Sequence, residues 1–288
     1  MGQSHTTLVE IGKNFTEKTT TTTNGTFCWL VANEKAKKAV VLVHGVTGNK
    51  LDMVVVGKEY VKRGYAVYAP DLPGHGGAPV LGVDTFDALG DWLNNCIEAM
   101  GCTPDILIGN SFASGICYNL ITRGLAPEKT HIILACPTPR VAWSSRALRA
   151  AGGLLPRSIG TTAYNSNRAI NARVTYLSKI SDGSPKKWLK ESEHHKIPFI
   201  DAKVGNRMSM LLETDNPYEV VPPERSVQER ITVVFGTKDN VATKRSFGRM
   251  RRLLPFSRML IVPGAGHILH FEASQQIVEA SSLQDETS

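Results

Sequence analysis

The chain has 288 residues, 42% of them hydrophobic and 20% charged, with a formal net charge of +7. That balance is ordinary for a globular protein and excludes collagenous, low-complexity and disordered chains. No apolar run approaches the ~20 residues that a membrane span needs. No phosphate-loop, dinucleotide or zinc-ligand spacing stands out, so neither a cofactor, a metal nor a nucleic-acid partner is expected.

The start of the chain lacks a basic region followed by an apolar one, so no secretory signal is expected. Cys28, Cys96, Cys102, Cys117 and Cys136 are odd in number and scattered through apolar segments. They read as free thiols, which points to a cytoplasmic location. Residues 16–23 and 26–32, joined by Asn24-Gly25, read as a β-hairpin with a tight turn. The apolar segments 39–43 and 65–70 read as strands. From Phe86, the positions Leu89, Trp92, Leu93, Cys96, Ile97 and Met100 recur at helical spacing.

The run Asp105-Ile106-Leu107-Ile108 leads into Gly109-Asn110-Ser111-Phe112-Ala113, with Ser114 and Gly115 following. A strand, a serine on a tight turn and a helix opening on small residues is the layout of a nucleophile elbow. Residues 130–135 form the next strand, which Pro137 and Pro139 end. Between 139 and about 223 the pattern turns helical: Ile170, Val174, Leu177 and Ile180 fit helices, and Ser184-Pro185 suits a helix start. Residues 231–235 are an apolar strand closed by Gly236-Thr237-Lys238-Asp239-Asn240. Residues 258–262 read as a buried strand, followed by Pro263-Gly264-Ala265-Gly266-His267. Strands alternating with helices predict an α/β chain with a mostly parallel twisted sheet covered on both faces.

Serine, acid and histidine, each just past a strand end, stand in the chain order of the α/β-hydrolase triad. The motifs are His44-Gly45-Val46-Thr47-Gly48, Asp71-Leu72-Pro73-Gly74-His75-Gly76, the Ser111 elbow, the Asp239 turn and the Gly266-His267 turn. On these the sequence resembles the α/β-hydrolase superfamily over nearly its whole length. One departure is Ala113, where the usual elbow has glycine.

The resemblance implies an α/β-hydrolase core at 1–139 and 223–288 with a helical cap inserted at 140–222. It implies Ser111 as nucleophile, His267 as base and Asp239 as the acid that orients it. The oxyanion would be held by the backbone N–H groups of Val46 and Phe112. Asp239 also suits a helix N-cap, and His270 is the nearest rival to His267. His44, His75 and Asp71 read as residues that shape loops. The expected activity is cleavage of a carboxylic ester or thioester on a small-molecule acyl substrate. A carbon–carbon hydrolase of ring-cleavage products and a ligand-binding protein with little turnover remain as alternatives. A serine at the elbow sets the chain apart from haloalkane dehalogenases and soluble epoxide hydrolases, which carry aspartate there.

Residues 140–222 hold +6 of the net charge of +7. Arg140, Arg146, Arg149 and Arg157 cluster at the start of this stretch, which suggests steering of an anionic acyl carrier, such as an acyl-carrier protein or acyl-CoA.

Overall fold

The computed structural model describes residues 6–139, 165–180, 183–196 and 202–282. Among the described residues, eight strands are formed: β1 (Thr16–Thr22), β2 (Gly25–Ala32), β3 (Lys38–Val43), β4 (Tyr65–Pro70), β5 (Ile106–Asn110), β6 (His131–Ala135), β7 (Ile231–Gly236) and β8 (Arg258–Val262). They make one sheet in the order β1-β2-β4-β3-β5-β6-β7-β8. The first two are antiparallel additions, β1 to β2 and β2 to β4, and every later pairing is parallel.

Strands β3, β5, β6 and β7 are buried along almost their whole length, which is why they read as continuous apolar runs. Leu107 and Ile133 are fully buried there; truncating either to alanine costs about 2–5 kcal/mol. The expected hairpin forms, with Thr22 paired to Gly25 across its turn. Strand β8 differs from its expectation as a buried strand. It lies at the sheet edge, with Arg258 exposed and Ile261 46% exposed. One neighbour covers only one of its sides, and the apolar composition gives no sign of that.

Helices lie on both faces. Among the described residues, α1 (Leu8–Gly12) precedes the hairpin and α2 (Val54–Lys62) follows β3; α3 (Phe86–Met100) packs beside the elbow helix α4 (Phe112–Thr122). Helix α3 starts at Thr85, whose hydroxyl accepts from Ala88 N–H, and stops at Gly101 in the left-handed region, φ 65°. Its buried positions include all those that the helical spacing marked. Between β6 and β7 stand α5 (Asn167–Leu177), α6 (Ser184–Lys196) and α7 (Ala202–Thr214). Ile180, expected to be helical, lies past the end of α5, whose last turn is closed by Ser178 in extended geometry. The short α8 (Arg225–Gln228), then α9 (Lys244–Leu253), α10 (Leu269–Glu272) and α11 (Ser274–Ser282) complete the described chain. Arg140, Arg146, Arg149 and Arg157, the residues suggested for carrier steering, lie outside the described residues. No described helix is long and apolar enough to cross a membrane.

Candidate active site

Three strand ends deliver the site. Ser111 follows β5 directly, with φ 55° and ψ −114°, a conformation that costs a non-glycine residue of order 1–3 kcal/mol. The turn is held from both sides: Ser111 N–H donates to Ala135 O at 2.7 Å, and Ser114 N–H donates to Ser111 O at 3.0 Å. The Ser114 hydroxyl donates to Gly109 O at 2.7 Å and lies 3.0 Å from Ala135 O. Gly109 is required, because a side chain there would collide with the carbonyl of Ala113. Gly115 is required as well: a Cβ would stand 2.7 Å from the Phe86 ring. Small residues after the serine therefore serve close packing of α4. Ala113, in the usual glycine position, is accommodated fully buried.

Strained backbone gathers at this place. Of the four non-glycine residues with positive φ among those described, Ser111 and Cys136 directly follow β5 and β6, Thr47 lies in the loop after β3, and Asn33 follows β2. The loop after β3 runs against the elbow, since a Cβ on Gly45 would lie 3.3 Å from Ser111 Cβ. Gly48 N–H donates to Gly45 O at 2.9 Å, and Thr47 N–H donates to the His75 ring at 3.2 Å. Among the described residues, the N–H groups of Val46 and Phe112 take no part in the bonds that fix these turns.

His267 follows β8 and is buried. Its Nδ1 lies 2.8 Å from Asp239 Oδ2, and its Nε2 lies 2.8 Å from Ser111 Oγ. The ring thus spans two residues that are distant in sequence. His267 N–H donates to Leu177 O at 3.0 Å, which ties the turn to the last residue of α5. Gly266 admits that approach, because a Cβ would stand 2.5 Å from the same carbonyl.

Asp239 joins His267 and also caps its own loop. Its Oδ1 accepts from Val241 N–H at 2.7 Å and Ala242 N–H at 2.8 Å. Burial pushes the Asp239 carboxyl up, but the opposing pull of His267, its hydrogen bond, Val241 N–H and the Cys136 thiol together hold it below the usual carboxylate range. Asp239 is thus the partner of the histidine, while the expected helix N-cap is not formed by it: it closes its own loop, and Thr243 holds the N-cap position of the helix that follows. Cys136, Asp239 and His267 are also the one group among the described residues whose spacing would admit a metal ion. The Asp239 and His267 atoms concerned are already bonded to each other.

The remaining singled-out groups hold loops. His44 Nε2 accepts from Leu72 N–H at 3.0 Å. Asp71 accepts from Lys50 N–H and Gly77 N–H, each at 2.8 Å, and pairs with the Lys50 ammonium. Burial pushes His75 down to about 3 and His270 down to about 4, so both are neutral at pH 7. His270 sits in α10, apart from the Ser111–His267 contact.

Two features escaped the sequence reading. Glu272 accepts from Ser178 Oγ at 2.9 Å, Lys179 N–H at 2.7 Å and Ile180 N–H at 3.1 Å, and its other oxygen accepts from Gly266 N–H. This carboxylate clamps the segment after α5 to the histidine turn. The second feature is a buried charge cluster joining α6 to the core. Asp52 accepts from the Ser192 hydroxyl and faces Lys196 at 3.8 Å, and Glu193 pairs with Lys196 at 2.9 Å and Arg173 at 2.7 Å. Helix α7 rests on the same loops, with Val204 Cγ1 2.8 Å from where a Gly74 Cβ would stand.

Comparison with known proteins agrees with this architecture. A mouse sn-1-specific diacylglycerol lipase, ABHD11, is 22% identical over 271 residues, covering 87% of this chain and 82% of its own. The solved esterase of Exiguobacterium antarcticum superposes with a TM-score of 0.74 at 14% identity, over 93% of this chain and 100% of its own. An E-2-(acetamidomethylene)succinate hydrolase superposes with a TM-score of 0.70 at 15% identity, over 94% and 99% of the two chains. The model of the alpha/beta hydrolase family matches residues 40–280. With five motifs in chain order and a sheet of this topology, the chain belongs to the alpha/beta hydrolase family.

Proposed function

We propose that the protein is a serine hydrolase of carboxylic esters, thioesters included, with Ser111, His267 and Asp239 as its catalytic triad. The observation that carries this reading is the single imidazole bonded at 2.8 Å on both sides, to a hydroxyl on a strained elbow and to a buried carboxylate. A serine hydroxyl is a weak nucleophile at neutral pH and needs a base at the moment of attack. His267 Nε2 takes the Ser111 proton as Oγ adds to the acyl carbon. Asp239 holds the tautomer that leaves Nε2 free and stabilises the imidazolium. The tetrahedral oxyanion is received by Val46 and Phe112 N–H. Collapse expels the alcohol or thiol, which takes the proton from His267 and leaves an acyl-enzyme. Water, deprotonated by the same imidazole, then releases the acid and frees Ser111.

Residues 140–222 form the cap in this reading, and α5, α6 and α7 are its described part. The acyl substrate would lie between them and the strand ends. Similarity to proteins named as an esterase and as a lipase favours ester cleavage. A chain-length series of p-nitrophenyl esters, run with Ser111→Ala as control, tests the proposal. Turnover that falls by several orders of magnitude in the variant, with unchanged folding, supports it. Retained turnover removes Ser111 as nucleophile. A wild-type protein that hydrolyses a vinylogous diketone in preference to every ester would move the activity to carbon–carbon cleavage.

A further inference from the structure

Helix α9 carries a cationic stripe that the proposed chemistry does not use. From Lys244 to Arg258 there are six basic residues and no acidic one, and the next carboxylate in the chain is Glu272. The near-neutral balance outside 140–222 conceals this local concentration. At 100° per residue, Arg251, Lys244, Gly248, Arg252, Arg245 and Arg249 follow one another around one side of the helix. Ser246 and Met250 are buried on the other side, and Phe247 meets Phe235 of β7 edge to face at 5.4 Å. The basic side is therefore fixed outward along about 15 Å of helix.

Among the described residues, most of these charges are not neutralised. Arg249 pairs with Glu219 at 3.0 Å, but Lys244, Arg245, Arg251 and Arg252 have no ion-pair partner among the described residues. Nearby Glu229 is taken by Arg225. Ordinary protein surfaces intersperse the two signs; helix α9 itself carries only one. Apolar side chains flank the stripe. Phe256, just past the helix, is 49% exposed beneath the Arg225 guanidinium, and Ile261 is 46% exposed on edge strand β8. Ile261 is paired in register with Phe235 and so points to the face on which α9 packs.

We infer that α9 with the adjoining edge of β8 is a docking surface for an anionic phospholipid bilayer. Each lysine or arginine held near such a surface contributes about 1 kcal/mol, screened within a Debye length. Phe256 and Ile261 enter the headgroup boundary beside the charges. This apolar margin favours a lipid surface over a purely electrostatic partner such as an acidic peptide or nucleic acid. The attachment is peripheral and reversible, because the apolar side of α9 is committed to the core.

The test is flotation of the full-length protein with phosphatidylcholine vesicles, with and without phosphatidylglycerol. The expected result is binding only when phosphatidylglycerol is present, weakening as salt is raised. The variant K244Q/R245Q/R251Q/R252Q should bind about 1,000-fold more weakly at low salt. R251Q/R252Q alone should lose about 30-fold, which keeps the test informative should the fourfold variant fold poorly. K186Q/K187Q/K190Q, which removes exposed charge from α6, should bind as the parent does. Equal binding by the parent and the α9 variants, or equal loss in the α6 variant, would overturn the assignment to α9. Failure to bind phosphatidylglycerol vesicles, with or without retention on polyglutamate or duplex DNA, would overturn the bilayer as partner. Flotation reads docking without reference to turnover, so its outcome is separate from that of the triad experiments.

Discussion

Asp239 meets His267 with one carboxylate oxygen, at 2.8 Å, while its other oxygen accepts from Val241 and Ala242 N–H at 2.7 and 2.8 Å. The loop that caps itself on Asp239 therefore also aims the carboxylate at the imidazole. The two roles separate by substitution. Asp239→Asn keeps an oxygen for the cap but replaces the acceptor facing Nδ1. Its kcat should fall about 10⁴-fold with little change in Tm. Asp239→Ala should lose activity similarly and also about 1 kcal/mol of stability. Steady-state kinetics and thermal melts of the pair check this; equal stability loss in both would mean that the cap is not set by Oδ1.

Glu272 gives a second prediction. It satisfies backbone N–H groups of Lys179, Ile180 and Gly266 together with the Ser178 hydroxyl. Glu272→Ala leaves those donors without their acceptor at about 1–3 kcal/mol each where buried, so a total loss of about 3 kcal/mol is expected. The histidine turn should loosen and kcat should fall about 10-fold, because misplacement of a catalytic group by a fraction of an ångström is costly. Glu272→Gln, which keeps one oxygen acceptor, should lie between. Urea unfolding beside kcat measurements decides; an active, fully stable Glu272→Ala would contradict the clamp.

The strained elbow predicts an opposition between stability and activity. Ser111 holds φ at 55°, where glycine is at ease and a residue with a Cβ is not. Ser111→Gly should abolish turnover yet melt at a higher temperature than Ser111→Ala, by about 1 kcal/mol of unfolding free energy. Calorimetry of the two inactive variants measures the difference, and an Ala variant as stable as the Gly variant would show that the turn stores no strain.

Acid should weaken the fold before the carboxylates titrate. Burial lowers the pKa of His44, of His75 to about 3 and of His270 to about 4, against an ordinary value of 6.5. The folded chain keeps all three neutral while the unfolded chain takes up protons below about 6.5, so unfolding binds protons. Stability is complete above that pH and declines toward pH 4, by up to about 1.4 kcal/mol per pH unit for each histidine. Asp239, whose folded value is lowered, contributes in the opposite range, losing its stabilisation only below its ordinary 3.8. Denaturant titrations between about pH 7 and pH 5 should show the decline, and His270→Gln should make it shallower. An unchanged slope in the variant would contradict a buried neutral His270.

What the sequence made legible was whatever is encoded locally. Nearly continuous apolar runs marked β3, β5 and β6, because a parallel strand covered on both faces buries almost every side chain and admits polar ones such as Asn110 and His131 only at its ends. Gly109, Ser114 and Gly115 marked the elbow because sterics there leave few choices. The hidden parts depend on partners far along the chain. Glu272 is an ordinary carboxylate in a four-residue helix until residues 178–180 arrive beside it. Asp52 and Ser192 are 140 positions apart, and neither carries a motif. The edge position of β8 is likewise a property of the finished sheet, since Met259, Leu260 and Ile261 have the composition of an interior strand.

The most direct test of the central claim is covalent labelling with a fluorophosphonate, followed by peptide mass spectrometry. One adduct per chain on Ser111, absent in Ser111→Ala and strongly slowed in His267→Ala, is the expected result. Labelling at another serine, or at Ser111 with equal rate when His267 is removed, would contradict an imidazole-activated nucleophile at the end of β5.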